Sequence, residues 1–598
     1  MARASIEALL LQLPLNPSAP LELTGNVPLA GASLASAAGL HRDSVLDQNT
    51  TDISGDRTLV NLVTEKSPRL IAFTLYSWNV ERSIYIAKEI RKKLPDIIIA
   101  AGGPEVTADN EWLLRNKEFD LFVSGEGEPV ASEILTYDSA ISIIETSSGF
   151  LEIGQMDFIP GSWPNPWLTG YLDPSEGASI HIETVRGCSG SCGYCSYRRN
   201  HPVPRILPAE DAIALLSRLS GAGAGEIVFL DPTFNNRPDL IELLEGMISL
   251  RINCFGEMRG DTISKHIADA IARAGFRSVE IGFQSGNPEV LRQSGRLGDP
   301  QDILDGALNL KNAGVTPVID LMLGLPGDTP AGSIKSACII RDMGLHQHVQ
   351  VFHLSMLPGT QMRIDSAERF MPRPPYYRFT DMSMGGYTAA REEIADILGY
   401  DLDLDPRPLL FDEWAGTEYI DLSTDTELSR RMPSFRHGAI RFRSDNPWND
   451  RKRIIEFVRS RLQSDPFCIL DVIIEPAVEF PLDLIGLLRQ LDNPLDYSGR
   501  VAKVLGRQGN LRITILLADW HEFNPTWIEA ATGTCSIVAD APSPTELPDK
   551  FWDMGVSVRL PGIEWNIKDL SASIPSIHQV LFQNRIMEER WSREILGI

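Results

Sequence analysis

The sequence contains no apolar run of about 18 uncharged residues, so no segment reads as a membrane span. It is also short of cysteine. Seven in 598 residues exclude a disulfide scaffold and point to a cytoplasmic setting. Positive charge is scarce as well: Lys and Arg total 55 against 80 Asp and Glu, a net charge of −25. That balance argues against nucleic acid as a partner and leaves room for a local basic pocket. The N-terminal stretch MARASIEALLLQLPLNPSAP has one early Arg and an apolar patch that alternates and ends in Pro-rich sequence. It reads as a first strand rather than a signal peptide. No internal repeat or low-complexity tract is present. A hydrophobic content of 43% excludes wholesale disorder, and the length exceeds one ordinary domain.

The expected fold class is α/β, in three parts. Residues 1–150 alternate strand-like and helix-like segments. RLIAFTLYS (69–77), DIIIAAGGP (96–104) and DLFVSGEGEP (120–129) read as buried strands. The segment NVERSIYIAKEIRKKLP between the first two is amphipathic, with Val80, Ile84, Ala87, Ile90 and Leu94 on one face. DNEWLLRN reads as a short helix capped by Asp109. This spacing predicts parallel βαβ units, whose ligands bind beyond the carboxyl ends of the strands. Residues 151–178, rich in Pro, Gly and Trp, read as a linker.

Residues 179–399 hold a second series, with strands HIETVRG, EIVFLDP, INCFGEM, SVEIGFQS, TPVIDLMLG and VQVFHLSML. Six βα units suit a partial barrel with its active site at the strand ends. Residues 400–598 read as a third domain, α/β or α+β, in which FCILDVIIEP and LRITILLADW are strands and DRKRIIEFVRSRL and PLDLIGLLRQL are helices.

The strongest chemical signal is VRGCSGSCGYCSYRRN, with Cys188, Cys192 and Cys195. Three thiolates at this spacing can wrap one face of a four-iron cluster and leave the fourth iron open to a chelating molecule. The competing reading is a zinc site completed by His181 or His201. It lacks the paired CxxC halves that zinc sites usually show. Cys254, Cys338, Cys468 and Cys535 are isolated and read as small buried hydrophobes.

CxxxCxxC with an aromatic before the last Cys, opening a βα barrel, resembles the radical S-adenosylmethionine superfamily. DPTFN (231–235), FGEMRGD (255–261), GFRSVEIGFQSG (275–286) and DLMLGLPGDTP (320–330) are similar to that barrel's strand-end motifs. The resemblance covers about 179–365. It implies a [4Fe–4S] cluster on the three cysteines and S-adenosylmethionine on the open iron. Tyr194 would lie near the adenine, and Glu257, Arg259, Glu280 and Gln284 would face the bound cofactor. A structural ion pair competes as the reading of Glu280.

The strand ends of the first domain carry Tyr76, Ser77, Trp78 and Asn79, then Gly102, Gly103, Pro104 and Glu105, then Gly125, Glu126 and Gly127. Upstream of a radical cluster motif, these loops resemble the Rossmann-like cobalamin-binding domain of B12-dependent radical enzymes. The glycines would let backbone approach a large flat ligand, and the 76–79 loop would lie at a switch point. The DxHxxG motif that supplies an axial His in many such domains is absent. The first crossover holds only His41; Arg69 would lie near the lower face of cobalt instead, or be a surface charge at the start of its strand. No Cys precedes Cys188, which excludes methylthiotransferases with a second N-terminal cluster. The C-terminal third has only Cys468 and Cys535, which excludes auxiliary clusters.

The resemblance implies a cobalamin-dependent radical S-adenosylmethionine C-methyltransferase. It would pass a methyl from S-adenosylmethionine through cobalamin to a carbon of a small molecule, an amino acid or peptide, with C2 of tryptophan as the specific expectation. Radical chemistry would need an electron donor such as a flavodoxin or ferredoxin. The alternatives are peptide methylation, another B12-dependent reaction such as cyclisation or ring contraction, and a non-catalytic sensor. No residue singles itself out as a catalytic base.

Overall fold

The computed structural model describes residues 7–15, 25–154, 160–174, 179–197, 203–365, 384–399, 407–411, 416–425, 434–495, 499–500, 502 and 509–596. The chain forms two compact units. One comprises Met1–Gln12, Val27–Gln48 and Lys66–Leu404; the other comprises Leu13–Asn26, Asn49–Glu65 and Asp405–Ile598. The expected domains 1–150 and 179–399 therefore share one unit. Two N-terminal segments belong instead with the C-terminal region.

The first sheet of the larger unit holds β1 (Ala8–Gln12), β2 (Leu70–Thr74), β3 (Ile98–Gly102), β4 (Leu121–Ser124) and β5 (Phe150–Glu152). All pairings are parallel, and the order across the sheet follows the chain. Val45, between β1 and β2 in the chain, makes a parallel bridge to Leu10 on the edge of β1 away from β2, so the winding reverses at β1 and the 76–79 loop, at the exit of β2, lies at that switch point. The strands are near-continuous apolar runs, as parallel strands covered on both faces require. Helix α1 (Val80–Lys93) buries Val80, Ser83, Ile86, Ala87 and Ile90. Its face is rotated from the expected one, and Ile84 and Leu94 are half-buried.

The short helix Glu111–Leu114 is preceded by Asn110 in the capping position, not by Asp109. The Asp109 carboxylate is occupied elsewhere. It accepts from the Gly359 backbone N–H at 3.0 Å and pairs with Arg363 at 2.8 Å. The expected linker is also packed. Phe150–Glu152 completes the sheet, and the buried Trp167 donates its indole N–H to the His181 carbonyl at 2.9 Å.

The second sheet has six parallel strands: β6 (Ser179–Ile182), β7 (Glu226–Phe229), β8 (Asn253–Met258), β9 (Phe276–Gln284), β10 (Thr316–Leu323) and β11 (Val349–His353). All six expected strands are present in barrel order. The register between β9 and β10 shifts between Gly282 and Gln284, a bulge that re-aims the side chains at the strand exit.

The smaller unit carries seven parallel strands, again in chain order: β12 (Thr417–Asp421), β13 (His437–Ser444), β14 (Ile469–Pro476), β15 (Leu511–Leu517), β16 (Ser536–Asp540), β17 (Ser557–Leu560) and β18 (Val580–Phe582). Of the two expected classes, α/β is the one observed. No described helix is long and apolar enough to cross a membrane.

Candidate active site

The cluster motif follows a two-stranded ribbon, Val185–Arg186 against Arg205–Ile206, at the exit of β6. Asp231, fully buried at the exit of β7, accepts from the backbone N–H groups of Thr184 (2.6 Å) and Val185 (2.9 Å) and so fixes where the motif begins. Desolvation pushes its carboxyl up to about 7 against the pull of those hydrogen bonds. The loop is then pinned from outside. Gly193 N–H donates to the Ser294 carbonyl at 2.9 Å, Ser191 Oγ donates to the Gly295 carbonyl at 2.7 Å, and Met362 N–H donates to the Gly193 carbonyl at 2.9 Å.

Cys188, Cys192 and Cys195 line one cavity of about 220 Å³ and are all partly accessible. Among the described residues, no three His, Cys, Asp or Glu side chains form a group fit to hold a single metal ion. Thiolates on separate irons of a cluster have no need to converge so closely. His181 lies on β6 and is not among the residues lining this cavity. His201 lies outside the described residues. The donor set therefore fits a cluster.

Tyr194, Glu257, Arg259, Glu280 and Gln284 line the same cavity, so all five expected cofactor-facing residues come together. Burial pushes the Tyr194 hydroxyl well up, against the pull of nearby Arg296. Arg259 is held by Asp261, its Nε donating at 3.0 Å. Two charged residues of this wall were not expected. Asp320, on β10, is 7% exposed. Arg296 has Nη1 at 3.9 Å from Cys192 Sγ and also bonds the Gly282 carbonyl.

A second cavity, about 260 Å³, opens at the carboxyl ends of the first sheet. Much of its wall is small and apolar, with Ala72, Ala100 and Ala101 beside Gly102, Gly103, Pro104, Gly125 and Gly127; Glu126 lines it too. A broad floor of small residues fits a large flat ligand such as a corrin. Two of the glycines answer a different need from close ligand approach. Gly103 and Gly125 have φ of +100° and +105°, and a Cβ on either would strike backbone, Leu75 or Ile153. They are required by the turns themselves.

Of the 76–79 loop, only Tyr76 lines the cavity. Trp78 stacks on Tyr76 with ring centroids 4.4 Å apart. Ser77 is half-buried away from the wall. Asn79 is buried and clamps the loop: its Oδ1 accepts from Tyr76 N–H at 2.9 Å, and its Nδ2 donates to the Thr74 carbonyl at 3.1 Å. Glu105 is buried and engaged by Asn110 Nδ2.

Arg69 is not at this site. It precedes β2, at the amino end, roughly 10 Å of strand before Ala72, the first β2 residue on the cavity wall. Its guanidinium lies over the Tyr137 ring at 3.8 Å and near Glu7 and Asp138. The arginine that does line the cavity is Arg186, paired with Glu128 at 2.9 Å and Glu183 at 2.7 Å. His41 is 75% exposed beside Asp43 and is not part of the wall.

Two family descriptions match the chain: "B12 binding domain" over residues 28–135 and "Radical SAM superfamily" over residues 182–332. The first contains most of the small-walled cavity and the second the three cysteines. The fold and the two sites together define a cobalamin-dependent radical S-adenosylmethionine enzyme, with a [4Fe–4S] cluster, S-adenosylmethionine and cobalamin as its cofactors.

Among curated relatives, the chain is 25% identical to an uncharacterized methyltransferase of Pyrococcus horikoshii, over 54% of this chain and 75% of that protein. It is 22% identical to the 2-(S-pantetheinyl)-carbapenam-3-carboxylate methyltransferase of Streptantibioticus cattleyicolor, over 56% of each chain. It thus spans little more than half the length of the latter. Among solved structures, the radical S-adenosylmethionine methyltransferase TsrM of Kitasatospora setae, bound to tryptophan and a cofactor analogue, aligns with a TM-score of 0.47 and 18% identity, over 60% of this chain and 76% of that one.

Proposed function

We propose that this enzyme transfers a methyl group from S-adenosylmethionine, by way of cobalamin, to a carbon centre of a small molecule, and that this centre is C2 of tryptophan. The observation that carries the methyl-transfer reading is the adjacency of the two cavities in the chain. Arg186 lines the small-walled cavity and Cys188, two residues on, lines the cluster cavity. A methyl donor on one side and a methyl carrier on the other would share one strand exit. The relatives named as methyltransferases support the same reaction class. When bound, cobalamin supplies the methyl-carrying chemistry and the cluster supplies the electron for any radical step.

The residues of this chain hold and orient. Arg186, fixed between Glu128 and Glu183, sets the charge beside the corrin cavity. The 294–296 segment holds the cluster loop. No His of the first crossover reaches the corrin cavity, which supports a cobalt without a His ligand from this chain. Such a cobalt suits methyl transfer without hydrogen abstraction at an aromatic carbon. A flavodoxin or ferredoxin is needed only for the radical route.

The test is incubation of anaerobically reconstituted enzyme with labelled S-adenosylmethionine and a panel of tryptophan, tryptophan-containing peptides and a carbapenam carboxylate. The expected result is label in 2-methyltryptophan, with S-adenosylhomocysteine and no 5′-deoxyadenosine. Label only in a peptide or carbapenam removes the tryptophan assignment. Label in none removes the methyltransferase reading.

A further inference from the structure

We propose that Asp109 and Arg363 are positioning residues: through their pair, cobalamin in the small-walled cavity braces the loop that holds the cluster. The proposal rests on the cofactor assignment and goes beyond the methyl-transfer reading. Neither side chain lines either cavity. Asp109 follows β3 of the first sheet, and Arg363 follows β11 of the second. Asp109 and Gly359 are 250 residues apart in the chain, yet the two segments meet directly.

Three linked contacts connect the two cavities. The first begins at the corrin wall, where Gly103 and Pro104 lead into the coil that carries Asp109. That coil is closed on itself. Val106 N–H donates to the Gly103 carbonyl at 3.0 Å, Asn110 N–H to the Thr107 carbonyl at 3.1 Å, and Asn110 Nδ2 to the Glu105 carbonyl at 2.9 Å. A ligand seated against Pro104 therefore acts on residues 103–110 as one piece.

The second contact crosses to the barrel. Both Asp109 carboxylate oxygens face the Gly359 N–H, at 3.0 and 3.2 Å, and Oδ2 lies 2.8 Å from Arg363 Nε. Gly359 presents that N–H at φ +74°, a turn that favours glycine. Arg363 is 2% exposed and is also tied to its own turn, Nη1 donating to the Met356 carbonyl at 3.0 Å. The third contact reaches the cluster loop. Met362 N–H donates to the carbonyl of Gly193, the residue between Cys192 and Tyr194, at 2.9 Å. Met362 and Tyr194 also pack against the buried cluster of Val290, Leu325, Leu354 and Met356.

A buried ion pair adds little stability over apolar residues of the same volume, but its charged hydrogen bonds fix the distance and direction between the elements they join. That is the property a brace requires. Coupling between two binding sites is reciprocal, so cobalamin that steadies the cluster loop is itself held more tightly when the cluster is in place. Iron capture by bathophenanthroline disulfonate is timed on the anaerobic, oxidised cluster protein, without S-adenosylmethionine, in the presence and absence of hydroxocobalamin. Bound hydroxocobalamin is expected to slow iron loss about tenfold in the wild type. The double variant Asp109→Asn/Arg363→Met removes both charges together. It is expected to bind hydroxocobalamin within about threefold of the wild type, while the protection of iron falls below about twofold.

A pair that only stabilises the fold, or a corrin that shields the cluster directly, leaves the ratio of the two rates intact in the variant. That result overturns the proposal, and so does a wild type whose iron loss ignores cobalamin. Loss of cobalamin binding in the double variant also overturns it, because the pair would then serve the corrin seat alone. Hydrogen exchange of the wild type gives a reading that needs no variant to fold. Hydroxocobalamin is expected to slow the amides of 359–363 and 192–195 together, by about tenfold. Unchanged exchange at 359–363 overturns the brace. Both measurements are made without turnover, so their failure counts against the brace alone, and failure of methyl transfer counts against the proposed function alone.

Discussion

Cys254 and Cys535 are buried, and desolvation pushes their thiols up to about 12, so neither ionises at neutral pH. Cys188, Cys192 and Cys195 are accessible on one cavity. Alanine at any of these three is expected to abolish cluster iron. Alanine at Cys254 is expected to leave iron and sulfide content unchanged, because that thiol is only a small core group. Iron retained by a Cys188→Ala protein would break the ligand assignment.

Asp320 gives a second residue-scale expectation. Burial, with the Glu280 charge adding, raises its carboxyl well above the usual carboxylate range. Glu257 is pushed up to about 7 by desolvation, again with Glu280 adding. For a carboxyl raised in the folded state, the folded protein binds more protons than the unfolded one between the two pKa values. Stability is then lost as pH rises through that window. Asp320→Asn removes the titration. Its stabilisation of the cofactor-free protein is expected to grow from pH 4 to pH 8, by at most about 1.4 kcal/mol per pH unit. Thermal melts across that range decide it; a gain that shrinks with pH would show that Asp320 is ionised in the fold.

At the scale of elements, the ribbon Val185–Arg186 against Arg205–Ile206 joins cluster loop to corrin cavity. Arg205 is 9% exposed and pairs with Glu126, 3% exposed, Nη1 reaching Oε2 at 3.0 Å. Removing one partner leaves a buried charge alone, so Glu126→Ala is expected to cost about 3–5 kcal/mol and to loosen cobalamin, while the double replacement costs less. Thermal melts and cobalamin retention on gel filtration measure both effects.

Every strand of the larger unit's two sheets except β5 was legible because parallel, doubly covered strands are apolar almost throughout, and the Gly-rich exits mark their carboxyl ends. Side-chain pairing was not legible. Arg186 and Glu126 are ordinary charges in a linear reading, and their partners lie 58 and 79 residues away. Asp320 left one trace, a lone acid inside TPVIDLMLG. Arg69 was misplaced for a physical reason. A residue that precedes a parallel strand lies at the amino end, and ligands gather at the other. Glu257, Glu280 and Gln284 were found because they stand in segments similar to the barrel's strand-end motifs.

At the scale of the whole molecule, the sequence suggested a C-terminal domain of residues 400–598. The compact unit instead includes Asn49–Glu65. Ser54 forms an antiparallel bridge with Phe435, and Arg436 N–H donates to the Ile53 carbonyl at 2.8 Å. Asp56, 1% exposed, accepts from Phe467 N–H at 3.0 Å. Arg57 donates to the fully buried Asp465 through both its backbone N–H (3.1 Å) and Nε (3.0 Å), and Arg461 of the helix Pro447–Ser464 closes on the same carboxylate. Excision of residues 405–598 strips Asp465 of one cation and leaves the 434–436 edge without its bridge. Unsatisfied buried groups cost about 1–3 kcal/mol each, a large part of a domain's stability. The excised fragment is therefore expected to melt at lower temperature than the same fragment carrying residues 49–65 through a flexible linker. Asp465→Ala in the full chain is expected to cost about 3–5 kcal/mol. Circular dichroism melts of the two fragments decide the point. Equal melting temperatures would mean that the seven-stranded sheet is self-sufficient, and that the 49–65 segment is tethered to it without stabilising it.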